Sequence, residues 1–449
     1  MTCNAEFNSR DPEAYSRVFD DLWPICRSIS GPGLRDSLAI LTALMDLGIE
    51  GVASGTQVFD WVVPPEWSIR SARLTGPDGQ VVADMAVTNL SVVNYSEPVD
   101  RVLSRAELEP HLHSIPHQPT LTPYVTSYYR RDWGFCLPHA QRVALPDGDY
   151  HARIDSTLAP GDVSFATGLL PGDSGREILL SSYLCHPSMA NNELSGPLVL
   201  LGLYHRLRDW PRRRYSYRFL LNPETIGSLC FLHRYHEHLS ETLEDGLVLT
   251  CLGGPTEALS YKASRRGDTG FDRLAAHLAG PDLALRPFDP TGGSDERQFC
   301  APGFDLPVGQ IGRTLYGRYP EYHTSGDTKA LMGLDRIVDA VDRIEEMLRL
   351  NEARGPWIGT AQHGEPQLGR RGLYPSVNSP TNWHLSNDEV MDSRRLLDMV
   401  LWILSDADGR RDIIETATKA GVGLRDLLPV IRTLEDKDLI RHHLREDTP

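Results

Sequence analysis

No apolar run in these 449 residues approaches the roughly 20 that a membrane-spanning helix needs, so no such helix is expected. Basic charge is also short. Lys and Arg number 45 against 61 Asp and Glu, a formal net charge of −16. No strongly basic face is implied, which argues against nucleic-acid or anionic-membrane binding. There are seven cysteines and no Cys-x-x-Cys pair, so neither a zinc ribbon nor a disulfide framework is indicated. Met1–Phe7 lacks a basic region followed by an apolar stretch, and a cytoplasmic protein with reduced thiols is expected. Repeats and low-complexity tracts are missing. The remaining composition, 40% hydrophobic and 24% charged, is that of a globular chain with a large core and two to four domains.

Four textures follow one another along the chain. Ala14–Ile29 and Leu34–Leu47 carry apolar residues at helical spacing. From Gln57 to Ile154 the chain turns β-rich, with strands predicted at Val58–Val63 and Ser91–Tyr95. From Glu177 to Ala353 strands (178–184, 216–221, 246–251, 307–311) alternate with helices (196–209, 226–238, 269–279, 335–352). Such alternation predicts an α/β sheet with helices on both faces. Gly355–Gly372 and Ser379–Pro380 read as a linker. The tail then gives helices at Asp392–Leu404, Arg411–Ala420 and Leu424–Asp436, and a wing at Leu439–His443. That pattern is a winged helix. Its last helix carries Asp426, Glu435 and Asp436 among few bases, so protein contact is expected rather than groove reading.

The chemistry concentrates in four polar segments of the α/β region. Ile178–Leu184 is an apolar strand that ends on His186, and the polar loop Pro187–Glu193 leads into an apolar helix. Tyr217–Leu221 is a second strand, with Glu224 in the equivalent place. Gly293–Phe299 sets Asp295 beside Arg297, and Pro320–Asp327 holds Tyr322 and His323 in a polar turn. Open α/β sheets place their sites at such strand ends. Amide hydrolysis needs an activated water, a Lewis acid and a proton shuttle. His186, Glu193, Asp295 and His323 are candidate metal ligands, and Glu224 is the candidate base. Tyr322 packs or donates to an oxyanion. Asp295 is a second acid–base candidate, or it caps a turn and pairs with Arg297. Arg265 and Arg266 form a solvated turn, or hold a substrate carboxylate or phosphate in bidentate fashion. His205, His233, His236 and His238 sit on predicted helices and are expected to be helix groups, not ligands. Cys185 is expected to face the core, away from His186.

These segments, CHPSMANNELSG, NPETIGS, GSDERQF and PEYHTSGDT, resemble an aminopeptidase-like family related to the zinc aminopeptidases with two co-catalytic metals. Thr126–Tyr129, Asp132–Leu137, Tyr261–Lys262 and Glu365–Tyr374 extend the resemblance over almost the whole chain. It implies N-terminal helices of a peptidase-like domain (1–56), an inserted β domain (57–154), a zinc-aminopeptidase-like mixed sheet (155–355) and a C-terminal winged helix (375–449). It further implies zinc, action on an amide or peptide bond, and company with surface-polysaccharide or specialised-metabolite pathways.

The chain departs from that pattern where metal would sit. Asn192 stands where the family has an aspartate. Thr225 stands at the second of two glutamates, and Gly254 at a later aspartate. One zinc ion is therefore expected rather than two, on His186, His323 and Glu193. Glu224 and Asp295 would be catalytic, and Asn192, Arg297, Tyr322 and Arg265 would hold a small-molecule or short-peptide amide. Two alternatives stay open. One is a metal-free or non-catalytic relative that binds or transfers an acyl group. The other is an interaction protein that docks through its winged helix. Homo-oligomerisation also stays open.

Overall fold

The structure, a computed structural model, describes residues 7–374, 382–384 and 390–443. Ser379–Pro380 of the expected linker and parts of the 375–449 segment lie outside the described residues. The chain forms two compact units. One runs to Gly267 and adds Gly280–Ile344; the other joins Asp268–Ala279 to the chain from Glu345.

The first unit is built on an eight-stranded mixed sheet. Its strands are β1 (Gly48–Ala53), β2 (Asp162–Leu170), β3 (Glu177–Tyr183), β4 (Ser216–Asn222), β5 (Leu243–Leu249), β6 (Leu259–Lys262), β7 (Leu283–Arg286) and β8 (Val308–Gly312). Their order is β1-β2-β4-β3-β5-β8-β6-β7. The central four, β4, β3, β5 and β8, run parallel. β1 and β2 close one side antiparallel, and β6 pairs antiparallel with β8 on the other. Every residue of β3 and β4 is buried. Parallel strands covered on both faces need apolar residues on both faces, which explains the largely apolar runs seen in the sequence, interrupted by Ser181, Ser182 and Arg218.

Helices α1 (Pro12–Leu22), α2 (Pro32–Thr42), α3 (Ser195–Arg208) and α4 (Ile226–Thr242) belong to this unit. α1 stops short of the expected Ile29 because Pro24 cannot donate to the helix ladder. α3 lies so close to the sheet that a Cβ on Gly196 would meet Ser182 Oγ at 2.2 Å and the Leu249 carbonyl at 2.5 Å. Only glycine permits that approach. At the base of the sheet the buried Glu177 accepts from Arg218 Nε at 2.6 Å and lies 2.7 Å from His238 Nε2 of α4. The Arg218 guanidinium outweighs the cost of burial and holds the Glu177 carboxyl below its ordinary value.

The inserted β segment has a four-stranded antiparallel sheet, ordered Val81–Asp84, Glu66–Thr75, Asp149–Ala159, Val99–Ser104. Leu74, Val92, Phe135, Tyr150 and Ile154 form its core. The strand predicted at 58–63 is a two-residue hairpin, Gln57–Val58 against Trp61–Val62; the strand predicted at Ser91–Tyr95 is absent, Ser91 ending a 3-10 turn (Asn89–Ser91) and Val92 and Asn94 making isolated bridges to Phe135 and Thr126.

In the second unit the helices Ser393–Asp406, Ile413–Ala420 and Leu424–Asp436 pack through Leu396, Ile403, Leu427 and Leu434. The predicted linker contains a strand instead. Pro356–Gly359 is the central strand of a three-stranded sheet, between Asp408–Asp412 and Ile440–His442. The buried Trp357, its ring 3.6 Å from that of His442, supplies the apolar anchor that Gly355-Pro356 conceals. The result is a winged helix. Among the described residues no helix is long and apolar enough to cross a membrane.

Candidate functional site

The loops that leave β3, β4 and β5 converge with the 313–328 loop on His186 and Glu224. Four non-glycine residues there have left-handed backbone: Ser188 (φ 52), Thr225 (φ 65), Cys251 (φ 53) and His323 (φ 54). Strain of this kind persists only where the surroundings impose it, and it gathers at functional sites.

Glu193 and His186 form the centre. Glu193 Oε2 lies 2.7 Å from His186 Nδ1. Its Oε1 accepts the His186 backbone N–H at 2.8 Å and also the Cys185 N–H. A carboxylate only accepts, so Nδ1 carries the proton and Nε2 is left facing the other way. Glu224 Oε2 lies 3.9 Å from that Nε2. Burial alone would push His186 down. Cys185 and the Glu193 carboxylate outweigh it and hold the imidazole well above its ordinary value.

His323 is the second imidazole. Its ring centre is 5.2 Å from that of His186, and Tyr322 stacks on it at 3.9 Å. Burial pushes His323 down to about 3, and the His186 charge adds to the effect, so this ring is neutral. The insert delivers the roof. Tyr124 N–H donates to the His323 carbonyl at 2.8 Å, and its ring sits 4.9 Å from His186 and 5.3 Å from His323. Its hydroxyl is 2.8 Å from that of Tyr128.

Glu224 is fixed from its other oxygen. Ser294 Oγ donates to Oε1 at 2.6 Å. Burial raises the Glu224 carboxyl, against the pull of His186. Ser294 is itself held by Glu296, which accepts the Ser294 N–H at 2.9 Å, Gln310 Nε2 at 3.0 Å and Lys262 Nζ at 2.9 Å. Lys262 and Glu296 are almost wholly buried. Asp295 is not near Arg297's guanidinium. It accepts Thr225 N–H at 2.6 Å, Asn222 Nδ2 at 2.8 Å and Ser228 Oγ at 3.1 Å, so it braces the strained residue after Glu224. Burial, then the Glu224 charge, pushes Asp295 up to about 7.

The loop before α3 is a π-turn, Ala190–Leu194, a form that recurs at functional sites. Asp327 holds it, accepting the N–H of Asn191 at 2.7 Å and of Asn192 at 2.9 Å. Tyr183 hydroxyl donates to the Asn192 carbonyl at 2.7 Å. Asn192 is 2% exposed, and its Nδ2 has no hydrogen-bond partner. A buried amide donor left unpaired calls for an explanation.

The remaining expectations divide. Arg297 contacts the Ser294 carbonyl, at 3.4 Å. Arg265 and Arg266 both bind Asp305, at 2.8 and 3.3 Å. Cys185 is buried in the core, as expected, but does not turn away from His186. Its Sγ is 3.3 Å from His186 Nδ1 and accepts the Glu224 N–H at 3.4 Å, because the strand alternation that would face it inward ends at Tyr183. His205, His233, His236 and His238 lie on α3 and α4, as expected. Sequence reasoning missed Ser294, Glu296 with Lys262, Asp327 and Tyr124. The signal for the first three was weak but present, since all sit inside or beside the quoted polar segments.

Does this donor set fit a metal? Among the described residues Cys185, His186 and Glu193 are the one set of three donors whose ligating atoms lie within 4.8 Å of one another, and the ring spacing also suits His186 and His323 as a pair. A metal about 2 Å from each ring nitrogen puts the centres of two tetrahedral imidazole ligands about 5 Å apart, and the rings here are 5.2 Å apart. The Glu193 contact selects the tautomer that leaves Nε2 unprotonated in a neutral ring. At the three positions where the resemblance implies carboxylates for a second ion, this chain has Asn192, Thr225 and Gly254. At Gly254 even a Cβ would meet Thr314 Cβ at 2.3 Å.

Known proteins agree with this architecture. The family described as "Domain of unknown function (DUF4910)" matches residues 16–354, and one described as "winged helix-turn-helix" matches residues 356–442. A Clostridium acetobutylicum protein, whose name joins polysaccharide biosynthesis to an aminopeptidase-like domain, is 37% identical over 416 residues, 92% of each chain. A crystal structure from Clostridium acetobutylicum, provisionally named a peptidase, superposes with a TM-score of 0.85 at 35% identity, over 96% of this chain and 97% of that one. A zinc aminopeptidase from Bacillus subtilis shares the fold at a TM-score of 0.53 and 12% identity, over 76% of this chain and 94% of its own. The chain belongs to the DUF4910 family, an aminopeptidase-like α/β fold that carries a C-terminal winged helix-turn-helix.

Proposed function

We propose that this protein hydrolyses an amide or peptide bond with the help of one zinc ion. The observation that carries the reading is the Glu224 carboxylate, pinned by Ser294 and set 3.9 Å from the Nε2 face of His186. His186, through Nε2, and His323 would hold the metal. When bound, such an ion polarises the substrate carbonyl and acidifies a water. Glu224 takes the proton of the attacking water and delivers it to the leaving amine. Asn192 Nδ2, unpaired in the free protein, donates to the carbonyl oxygen as charge develops there. Tyr322 and Arg297 flank the substrate.

Two assignments differ from the sequence expectation. Both Glu193 oxygens are engaged by His186 and its backbone, so we assign Glu193 to orienting the imidazole rather than to ligation. Asp295 is spent on the Thr225 turn, so we assign it to positioning Glu224. Glu193→Gln is then expected to weaken metal affinity about 10–100-fold, as loss of a carboxylate behind a ligand histidine does. Competition against a chromophoric chelator reads this directly; an unchanged affinity would remove the orienting role.

The relative's name, which joins polysaccharide biosynthesis to an aminopeptidase-like domain, supports a substrate in a biosynthetic pathway, and we assign it as a small aminoacyl or acyl amide. The winged helix would serve protein contact, and we place the protein in the cytoplasm. The test is a panel of aminoacyl and acyl amides with zinc-supplied protein, before and after chelation. Cleavage that chelation abolishes supports the reading. Cleavage that survives chelation, or none across the panel, counts against it.

A further inference from the structure

Tyr322 also lines a surface cavity of about 470 Å³. His117, Gln118, Arg318, Tyr319, Pro320 and Tyr322 line it. Tyr322 stacks on His323 at 3.9 Å, so the cavity is one ring away from the proposed reaction centre. Its walls are tied together. Gln118 Nε2 donates to the Pro320 carbonyl at 2.6 Å, and Ser325 N–H to the Thr122 carbonyl at 2.8 Å. The insert and the His323 loop therefore form one framework there.

The cavity's charge is unusual for this chain. Arg318 is exposed, and among the described residues no carboxylate lies within ion-pair distance of it. Arg286 is also without such a partner: its guanidinium donates to Ser260 Oγ at 2.6 Å and Gln310 Oε1 at 3.1 Å, both neutral. Burial pushes Arg286 down, Tyr316 and the Glu296 carboxylate pull it back up, and the like charge of Arg318 lowers it a little further. By contrast Arg265 and Arg266, the arginines that the sequence offered for this role, share the carboxylate of Asp305. Arg318, exposed in the cavity wall with no carboxylate in ion-pair distance among the described residues, makes a local attraction for an anion in a protein of net charge −16.

We infer that this cavity is an anion subsite, in which Arg318 takes a carboxylate or phosphate borne by the substrate, beside Tyr322. The inference deepens the hydrolase reading and rests on it for the word substrate. The binding itself does not. An exposed guanidinium beside neutral donors such as Gln118 can receive either anion through paired N–H bonds.

The experiment is calorimetric titration of the full chain at low ionic strength with inorganic phosphate and, separately, with succinate. The parent protein is expected to bind at least one in the millimolar range, and the tighter of the two names the anion. Arg318→Ala is expected to weaken that binding at least tenfold, Arg318→Lys less, and the control Arg212→Ala not at all. Arg286 is left intact because its partial burial makes its loss a folding risk. Equal binding by the parent and Arg318→Ala would overturn the subsite, as would no binding of either anion by a folded parent. Because the readout is binding, a failure of amide hydrolysis would leave this result standing, and the reverse.

Discussion

Glu224→Gln is expected to lower kcat about 10²–10⁴-fold, the usual worth of a positioned acid–base group. KM should change little, because the amide fills the same space. Ser294 Oγ can still donate to the remaining oxygen, so the side chain keeps its place. Metal content and thermal unfolding should match the parent protein. The combination matters more than the loss alone: an inactive variant that has also lost metal would make Glu224 a ligand, and an active one would remove the base from the mechanism.

Glu296→Ala is expected to destabilise the protein by about 3–5 kcal/mol, as removal of one partner from a buried ion pair does. It strands the Lys262 ammonium, which is 1% exposed and has only the carbonyls of Asp289 and Gly292 as other acceptors. It also strands the Ser294 N–H and Gln310. Urea denaturation of the parent and the variant measures this. The double change Lys262→Met with Glu296→Leu should recover much of the loss, since an apolar pair needs no counter-charge. Activity should not return with it, because Ser294 would still lack its anchor and Glu224 its fixed rotamer. A Glu296→Ala protein as stable as the parent would show that this network does not support the site.

The parts of the molecule legible in the sequence are those in which one short segment carries the whole signal. β3 and β4 were visible as largely apolar runs, and His186 and Glu224 as the polar residues that follow them. The three tail helices were visible from their spacing. Illegible were the short strands β6 and β7, four residues each, which no periodicity can mark. The strand Pro356–Gly359 was hidden by the Gly-Pro that opens it. In the site, residue types were readable and roles were not. Glu193 looks like a ligand by composition, and only the turn of the chain shows both its oxygens facing His186 and its backbone. Asp327 reaches Asn192 across 135 residues. Lys262 reaches Glu296 across 34. Such pairings are made by the sheet, not by the neighbours of either residue.

The account stands or falls on whether His186 and His323 share an ion. Elemental analysis of the full chain expressed with zinc supplied, beside His186→Ala and His323→Ala, tests this most directly. The account predicts about one metal per parent chain, lost in both variants while their folds persist. A well-folded parent without metal, or an ion that survives both substitutions, would contradict it.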